Sequence, residues 1–221
     1  MTTSTIAINR QLVSSQQKVI LFGTGALFSL AVLDELLAHE LKPVALVLPG
    51  FAPYEVKAVT ELPVQVSTKD NQFVTQAKRL SIPLIYLPES TQSTKVHEFI
   101  AFSADFLLLA CWPFLLSPQI VSTVSKAALN MHPSLLPNYR GANPVAAQLN
   151  QQEKNFGVSI HLLSQQFDEG DIIDQAGLKL KTESPGRDDI ELEAARVGTT
   201  LFMKAINDFG GSEWKPRPQQ K

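Results

Sequence analysis

The sequence predicts an α/β fold, a single doubly wound domain with a mostly parallel central sheet flanked by helices. Short apolar runs alternate along the chain with stretches whose apolar residues recur at helical spacing, which is the order that builds a parallel sheet with crossover helices. The run at residues 106–110 is apolar at every position, as expected of a strand that is buried on both faces. A length of 221 residues fits one domain.

The elements are predicted in order from residue 18 onward. Strands are expected at residues 18–22, 43–48, 84–87 and 106–110, and helices at residues 26–37, 73–80, 96–102 and 118–125. Apolar alternation predicts two more strands at residues 158–163 and 178–181, and helical spacing predicts a terminal helix at residues 190–209. This is a Rossmann-like domain over residues 18–210, with a flexible N-terminal tail at 1–17 and a polar, solvated C-terminal tail at 211–221.

Composition narrows the function classes. A formal net charge of −2 provides no broad positive field for nucleic acid. The longest apolar run, residues 106–116, is too short to cross a bilayer and contains Pro113. Cys111 is the only cysteine, so no internal disulfide forms, and a buried structural thiol is expected rather than a nucleophile. The single cysteine fits a cytoplasmic location. Close paired spacings of metal ligands are absent from the sequence, so no metal is predicted.

A Gly-Thr-Gly sequence at residues 23–25 follows the first predicted strand and is similar to the start of a dinucleotide fingerprint. Phe28 occupies the third glycine position, and Leu48 and Pro49 stand where an acidic residue would end the second strand. We therefore expect a tight backbone turn rather than a nicotinamide site, while an anion at this helix start remains open.

Two stretches carry the most specific signal. Residues 130–144 read Asn-Met-His-Pro-Ser-Leu-Leu-Pro-Asn-Tyr-Arg-Gly-Ala-Asn-Pro, and residues 167–171 place Asp168 in an Asp-x-Gly context. Together they resemble the catalytic domain of the formyltransferase superfamily, closest to the branch of methionyl-tRNA formyltransferases and sugar N-formyltransferases. The resemblance extends over residues 18–209 and implies the same doubly wound fold.

The resemblance implies that Asn130, His132 and Asp168 are catalytic residues for transfer of a formyl group from 10-formyltetrahydrofolate to an amine. The chemistry of these residues suits the reaction. The Asn130 amide can donate to a developing oxyanion, His132 can transfer protons near neutral pH, and Asp168 can favour the charged imidazole. Considered alone, Asn130 could cap a turn and His132 could be an ordinary core histidine.

Further roles follow from the same resemblance. It places the pterin of the donor against the segment that contains Phe114, Leu115 and Leu116. The loop that should face the acceptor holds Ser134, Tyr139 and Arg140. Arg140 could contact a phosphate in a bidentate manner, although an exposed structural arginine is an open alternative. The other histidines, His39, His97 and His161, are expected to be structural or exposed and are assigned no chemistry.

The acceptor is left open between classes. A small or nucleotide-linked amine is preferred, because residues 51–66 are short and hardly basic and an RNA-contacting domain is not expected. Methionyl-tRNA remains possible. Hydrolysis of the formyl folate and noncatalytic folate or nucleotide binding are the alternative functions, and the oligomeric state is not predicted.

Overall fold

The protein is described by a computed structural model over residues 17–50 and 71–220. Residues 1–16 of the predicted tail at 1–17, and the segment 51–66, therefore lie outside the described residues. In the described ranges, the strands form one seven-stranded sheet in the order β3-β2-β1-β4-β5-β6-β7. The first five strands in this order are parallel, and β6 and β7 are antiparallel. The strands are β1 (Val19–Gly23), β2 (Ala45–Pro49), β3 (Leu84–Leu87), β4 (Phe106–Ala110), β5 (Ala127–His132), β6 (Gly157–Leu162) and β7 (Ile172–Gly177). The predicted doubly wound fold with a mostly parallel sheet is confirmed.

Helices cover both faces of this sheet. They are α1 (Leu27–Ala38), α2 (Gln72–Leu80), α3 (Val96–Ile100), α4 (Pro118–Val121), α5 (Pro144–Asn150) and α6 (Arg187–Asp208), with a 3-10 helix at Glu89–Thr94. Successive strand residues point to opposite faces, so Leu21 packs with Phe202 of α6 in one apolar cluster and Phe22 packs with Phe99 of α3 in the other. No helix within the described residues is long and apolar enough to cross a membrane.

The second half of the chain differs from the prediction in its details. The strand expected at residues 178–181 is absent, and β7 ends just before it, at Gly177. Leu178 and Leu180 instead pack against the apolar cluster that contains Ile190, so their alternation reflects a half-buried loop. Helix α5 was not predicted, and α4 ends at Val121 instead of continuing to residue 125.

The C-terminal tail also differs from the expectation of a solvated segment. The backbone of Arg217 forms an isolated antiparallel bridge with Ile172, the first residue of β7. Both hydrogen bonds of this bridge, between the N–H of one residue and the carbonyl of the other, are 2.9 Å long. The tail therefore adds to the edge of the sheet.

The strand order fixes where a site can form. Strand β1 has β2 on one side and β4 on the other, and crevices for ligands open at the carboxyl ends of strands at such a switch point. The turn after β1 is tight as expected, with Gly25 at a φ of +80°. A Cβ on Gly25 would lie 2.1 Å from Oδ1 of Asn71, so this turn requires glycine.

Candidate active site

A cavity of about 1000 Å³ opens at the carboxyl ends of the central strands. Asn130 and His132 at the end of β5 line it together with His161 and Asp168. The segment that follows β4 forms one wall, and residues 141–145 with the start of α6 form another. Polar groups capable of proton transfer therefore converge in a cavity with a large apolar surface, which is the usual form of a small-molecule site.

Strand geometry explains why three of these residues meet. Asn130 and His132 are two positions apart in β5, so both side chains point to the same face of the sheet. The register between β5 and β6 places His161 directly opposite Asn130. Side chains at such opposed positions are neighbours, and the Asn130 Nδ2 lies 3.0 Å from the His161 Nε2.

Asp168 joins this group from the loop between β6 and β7. Its Oδ1 accepts a hydrogen bond of 3.0 Å from the Asn130 Nδ2. The same oxygen lies 3.5 Å from the His132 Nδ1 and 3.4 Å from the His161 Nε2. Its other carboxylate oxygen accepts the backbone N–H of Gly141 at 2.9 Å. The three residues that the sequence singles out are thus brought together, and His161 is a fourth member of the cluster.

The loop reaches this position through an unusual backbone. Asp168 has a φ of +56°, a left-handed conformation that is costly for a residue with a side chain and that persists where surrounding contacts hold it. Gly170 follows two residues later, and a Cβ there would lie 1.8 Å from the carbonyl oxygen of Leu162. The glycine of the Asp-x-Gly sequence is therefore required for the close approach of the loop to β6.

Hydrogen-bond partners assign the histidine tautomers. The His132 Nε2 lies 2.8 Å from the carbonyl oxygen of Tyr139, which only accepts, so this nitrogen carries a proton. The His161 Nδ1 lies 2.8 Å from the carbonyl oxygen of Leu162 and is protonated for the same reason. In the neutral rings, the lone pairs on the His132 Nδ1 and the His161 Nε2 therefore face Asp168 and Asn130.

Burial and charge set the protonation of the cluster. Burial lowers the pKa of His132 below its ordinary value. The negative charge of Asp168 and the hydrogen bond to the Tyr139 carbonyl act in the opposite direction, but burial is the larger effect. Burial raises the pKa of Asp168, but the contact with His161, the charge of His132 and the Gly141 N–H together bring it below its ordinary value. Near neutral pH, the cluster thus contains an ionised carboxylate beside a neutral His132.

The loop after His132 differs from the prediction for the acceptor side. Ser134 is fully buried, and its hydroxyl donates to the Asn138 carbonyl at 2.7 Å. The Tyr139 hydroxyl donates to the Glu153 carboxylate at 2.9 Å. Arg140 donates to Gln219 and lies 3.5 Å from Glu169. None of these three residues is among the described residues that line the cavity. Their polar groups instead bond to other parts of the protein and hold the loop.

The segment after β4 reaches the cavity. Phe114, Leu115 and Leu116 all line the cavity. Gln92 stabilises this segment, since its Nε2 donates to the Leu115 carbonyl at 2.9 Å and its Oε1 accepts from the Ser117 N–H at 2.6 Å. An apolar wall with a fixed backbone is therefore present on this side of the cavity.

Cys111 differs from the expectation of a buried thiol. It is exposed and lines the cavity at the end of β4. Its φ of +63° turns the chain out of the sheet, so the side chain does not continue the buried pattern of the strand. Its sulfur accepts a hydrogen bond from the Thr24 hydroxyl at 3.5 Å.

Two residues of the site escaped sequence reasoning. His161 was assigned no chemistry, yet it is buried and contacts both Asn130 and Asp168. The alternation of His161 with apolar residues correctly indicated a strand. It did not indicate which residue of the neighbouring strand would lie opposite His161. Gln219 lies in the C-terminal tail that was expected to be solvated, and it contacts the backbone of the Asp168 loop.

Within the described residues, no group of three or more His, Cys, Asp and Glu side chains could hold a metal ion.

Comparison with known proteins finds relatives along nearly the whole chain. A family model described as formyl transferase matches residues 17–206. The chain is 31% identical over 194 residues to the methionyl-tRNA formyltransferase of Listeria innocua serovar 6a, covering 87% of this chain and 58% of that protein. It is 30% identical over 139 residues to the methionyl-tRNA formyltransferase of Helicobacter pylori strain P12, covering 63% and 44%. The chain therefore spans about half the length of these curated relatives.

Solved structures share the fold at lower sequence identity. Glycinamide ribonucleotide transformylase 1 from Symbiobacterium toebii superposes with a TM-score of 0.67 at 17% identity, over 93% of this chain and 95% of that one. A formyltetrahydrofolate deformylase from Pseudomonas syringae pv. tomato superposes with a TM-score of 0.65 at 16% identity, over 87% of this chain and 62% of that one. At such identities, the likeness establishes the architecture.

Proposed function

Because the chain belongs to the formyl transferase family, we propose that it is an enzyme that transfers the formyl group of 10-formyltetrahydrofolate to an amine. The observation that carries this proposal is the convergence of Asn130, His132 and Asp168 in one cavity beside an apolar wall. The reaction forms a bond between the amine nitrogen and the formyl carbon and breaks the bond to the folate nitrogen. One proton must leave the amine and one must reach the folate nitrogen.

His132 is the proposed proton-transfer residue. It is neutral near pH 7, with the lone pair on Nδ1 available because Nε2 is held by the Tyr139 carbonyl. A proton accepted at Nδ1 would form a charge-assisted bond with the Asp168 carboxylate 3.5 Å away. Asp168 thus stabilises the imidazolium that forms as the amine attacks, and His132 can return the proton to the leaving nitrogen.

Asn130 is the proposed donor to the formyl oxygen, on which negative charge develops. Both hydrogens of its Nδ2 are directed to protein acceptors, one to Asp168 and one to His161. Donation to the formyl oxygen therefore requires exchange of one of these bonds. Asp168 can release Asn130 without losing all of its partners, since Gly141 still donates to its other oxygen.

Phe114, Leu115 and Leu116 are the proposed contacts of the pterin. The apolar side chains would cover its ring faces, and backbone groups of this segment would pair with its polar edge. His132 and Asn130 line the same cavity, which supports a donor bound with its formyl group toward them. The folate would supply the one-carbon unit from the nitrogen outside its ring, and the protein would supply orientation and proton transfer.

For the acceptor, we propose a small or nucleotide-linked amine. The described residues that line the cavity include three acidic side chains, Glu89, Asp168 and Glu191, and one basic side chain, Arg187. Arg187 is itself bound to Glu191 at 2.6 Å. Recognition of RNA relies on several Lys and Arg side chains that neutralise phosphates. The described lining of the cavity offers Arg187 alone. Methionyl-tRNA is the second candidate, favoured by the identity to methionyl-tRNA formyltransferases.

The test combines purified protein with 10-formyltetrahydrofolate and an acceptor panel of amino sugars, nucleotide-linked amino sugars and methionyl-tRNA. We expect a formylated small amine, with turnover lowered about 10²- to 10⁴-fold in His132→Ala, the usual contribution of a general acid–base residue. His97→Ala changes an exposed histidine and is the matched control, expected to retain activity.

The products distinguish the alternatives. Formate released at the same rate with and without any acceptor would identify a hydrolase. Folate binding with neither product would identify a noncatalytic binding protein. Efficient formylation of methionyl-tRNA alone would overturn the small-amine preference, and near-normal turnover in His132→Ala would remove the proposed mechanism.

A further inference from the structure

The C-terminal segment reaches the candidate site from outside the cavity. Trp214 packs against Phe209 with ring centroids 4.8 Å apart, which fixes the start of the segment. Arg217 then pairs with Ile172 at the edge of the sheet. Two residues further on, the side chain of Gln219 lies between the loop that holds Asp168 and the loop that follows His132.

The sequence of this segment is suited to a fixed path. Pro216 and Pro218 have no backbone N–H, so Arg217 between them is the position that can donate to the neighbouring strand. Residues that precede proline are restricted to extended conformations, which applies to Lys215 and Arg217. The segment therefore loses little conformational freedom when it lies along the sheet edge, and it delivers Gln219 to one place.

Gln219 uses both ends of its amide. Its Nε2 donates to the carbonyl oxygens of Asp168 and Gly170, both at 2.8 Å. Its Oε1 accepts from the Nε and Nη2 of Arg140 at 3.1 and 2.6 Å. One side chain thus ties the two loops together with four hydrogen bonds, and two of them fall on the turn where Asp168 has its left-handed backbone.

We propose that Gln219 is a positioning residue that holds Asp168 in register with His132 and Asn130. The inference rests on the proposed formyl transfer, since Asp168 acts in that reaction. Gln219 does not line the cavity among the described residues, so it affects chemistry through Asp168 and not through contact with a substrate. Without it, the Asp168 and Gly170 carbonyls lose the hydrogen bonds that Gln219 donates, and the strained turn can relax to a conformation that withdraws the carboxylate.

The kinetic test replaces Gln219 with Ala and, as the matched control, the exposed neighbour Gln220 with Ala. We expect Gln219→Ala to lower kcat about 5- to 50-fold with less than a 3-fold change in the KM of the formyl donor, and Gln220→Ala to leave both unchanged. Gln219→Glu keeps the acceptor that faces Arg140 but cannot donate to the two carbonyls. It should therefore resemble Gln219→Ala.

A double-mutant comparison separates positioning from stability. In an Asp168→Asn background, Gln219→Ala should lower kcat no further, because the carboxylate that it positions is already gone. A merely structural residue would lower the melting temperature and leave kcat of the folded fraction unchanged. Independent, multiplicative losses of kcat, or a Gln219→Ala kcat within 2-fold of the unsubstituted protein, would overturn the proposal.

A readout without turnover keeps this inference distinct from the proposed function. The titration of the His132 imidazole can be followed by NMR in the substrate-free protein. The negative charge of Asp168 raises the pKa of His132, so Gln219→Ala should move the titration midpoint downward, in the same direction as Asp168→Asn. An unchanged midpoint would refute the positioning role even if formyl transfer is observed. A downward shift in a protein that transfers no formyl group would support it while the proposed function fails.

Discussion

The buried hydroxyl of Ser159 offers a quantitative test of how the site is held together. Ser159 lies in β6 with no exposed surface. Its Oγ donates to the Ser134 carbonyl at 2.6 Å and accepts from the Leu136 N–H at 3.1 Å. It also accepts from the Gln175 Nε2 at 2.8 Å. This hydroxyl therefore holds the loop that follows His132 against the sheet.

The cost of Ser159→Ala can be worked out from these contacts. Gln175 keeps a partner, because its Nε2 also donates to the Leu136 carbonyl at 2.8 Å. Among the described residues, the lost hydroxyl is the one hydrogen-bond partner of the buried Ser134 carbonyl and of the Leu136 N–H. Each orphaned buried backbone group costs about 1–3 kcal/mol, so the free energy of unfolding should fall by about 2–6 kcal/mol in total.

The assay is urea unfolding followed by tryptophan fluorescence, with the midpoint and the slope compared between variants. Ser122→Ala is the control, since its exposed hydroxyl makes one local bond to the Gln119 carbonyl, and its effect should stay within about 0.5 kcal/mol. A loss below about 1 kcal/mol in Ser159→Ala at an unchanged slope would refute the reasoning. It would mean that water or a local shift replaces the hydroxyl.

Two further predictions concern the Asp168 loop. Gly170→Ala should lower the free energy of unfolding by at least about 3 kcal/mol, because its Cβ would overlap the Leu162 carbonyl. In the control Gly177→Ala, where the nearest atom is 3.8 Å away, the loss should be about 1 kcal/mol or less. Equal losses of the two variants in thermal unfolding would contradict the steric argument. For pH dependence, activity should fall as pH drops through the pKa of His132, which burial holds below the ordinary value of 6.5, since the protonated ring accepts no proton. Asp168→Asn removes a charge that raises this pKa, so the acid limb of kcat/KM against pH should move to lower pH, and an unmoved limb would show that His132 does not control it.

The first half of the fold was predictable because its signals are local. Strands such as β4 are buried on both faces and read as continuous apolar runs, so periodicity and length suffice to place them. The second half mixes polar residues into its strands to build the site. In β7, Asp174 and Gln175 interrupt the apolar pattern, while Leu178 and Leu180 imitate a strand from a loop that packs on Ile190. Pattern reasoning therefore shifted this strand along the chain.

The site was predictable only as far as its residues share a recognisable sequence context. Asn130, His132 and Asp168 lie in two such stretches. Ser134, Tyr139 and Arg140 lie in one of them too, but the sequence could not show that their polar groups are consumed in holding the loop. Sequence order gives the positions of side chains along the chain and leaves their hydrogen-bond partners undetermined.

The fourth member of the cluster shows which information was missing. Between Asn130 and His161, the chain forms the whole loop after His132 and α5, so the distance in sequence does not determine which residues face each other. Their contact depends on the antiparallel register of β5 and β6, and a slip of one residue would turn His161 to the opposite face of the sheet. Ser159, two residues before His161 on the same face, ties the segment just after β5 to β6 through its buried hydroxyl. The hydroxyl thus joins the two strands that carry Asn130 and His161 close to the cluster, and we expect its loss to disturb both sides of the cluster together.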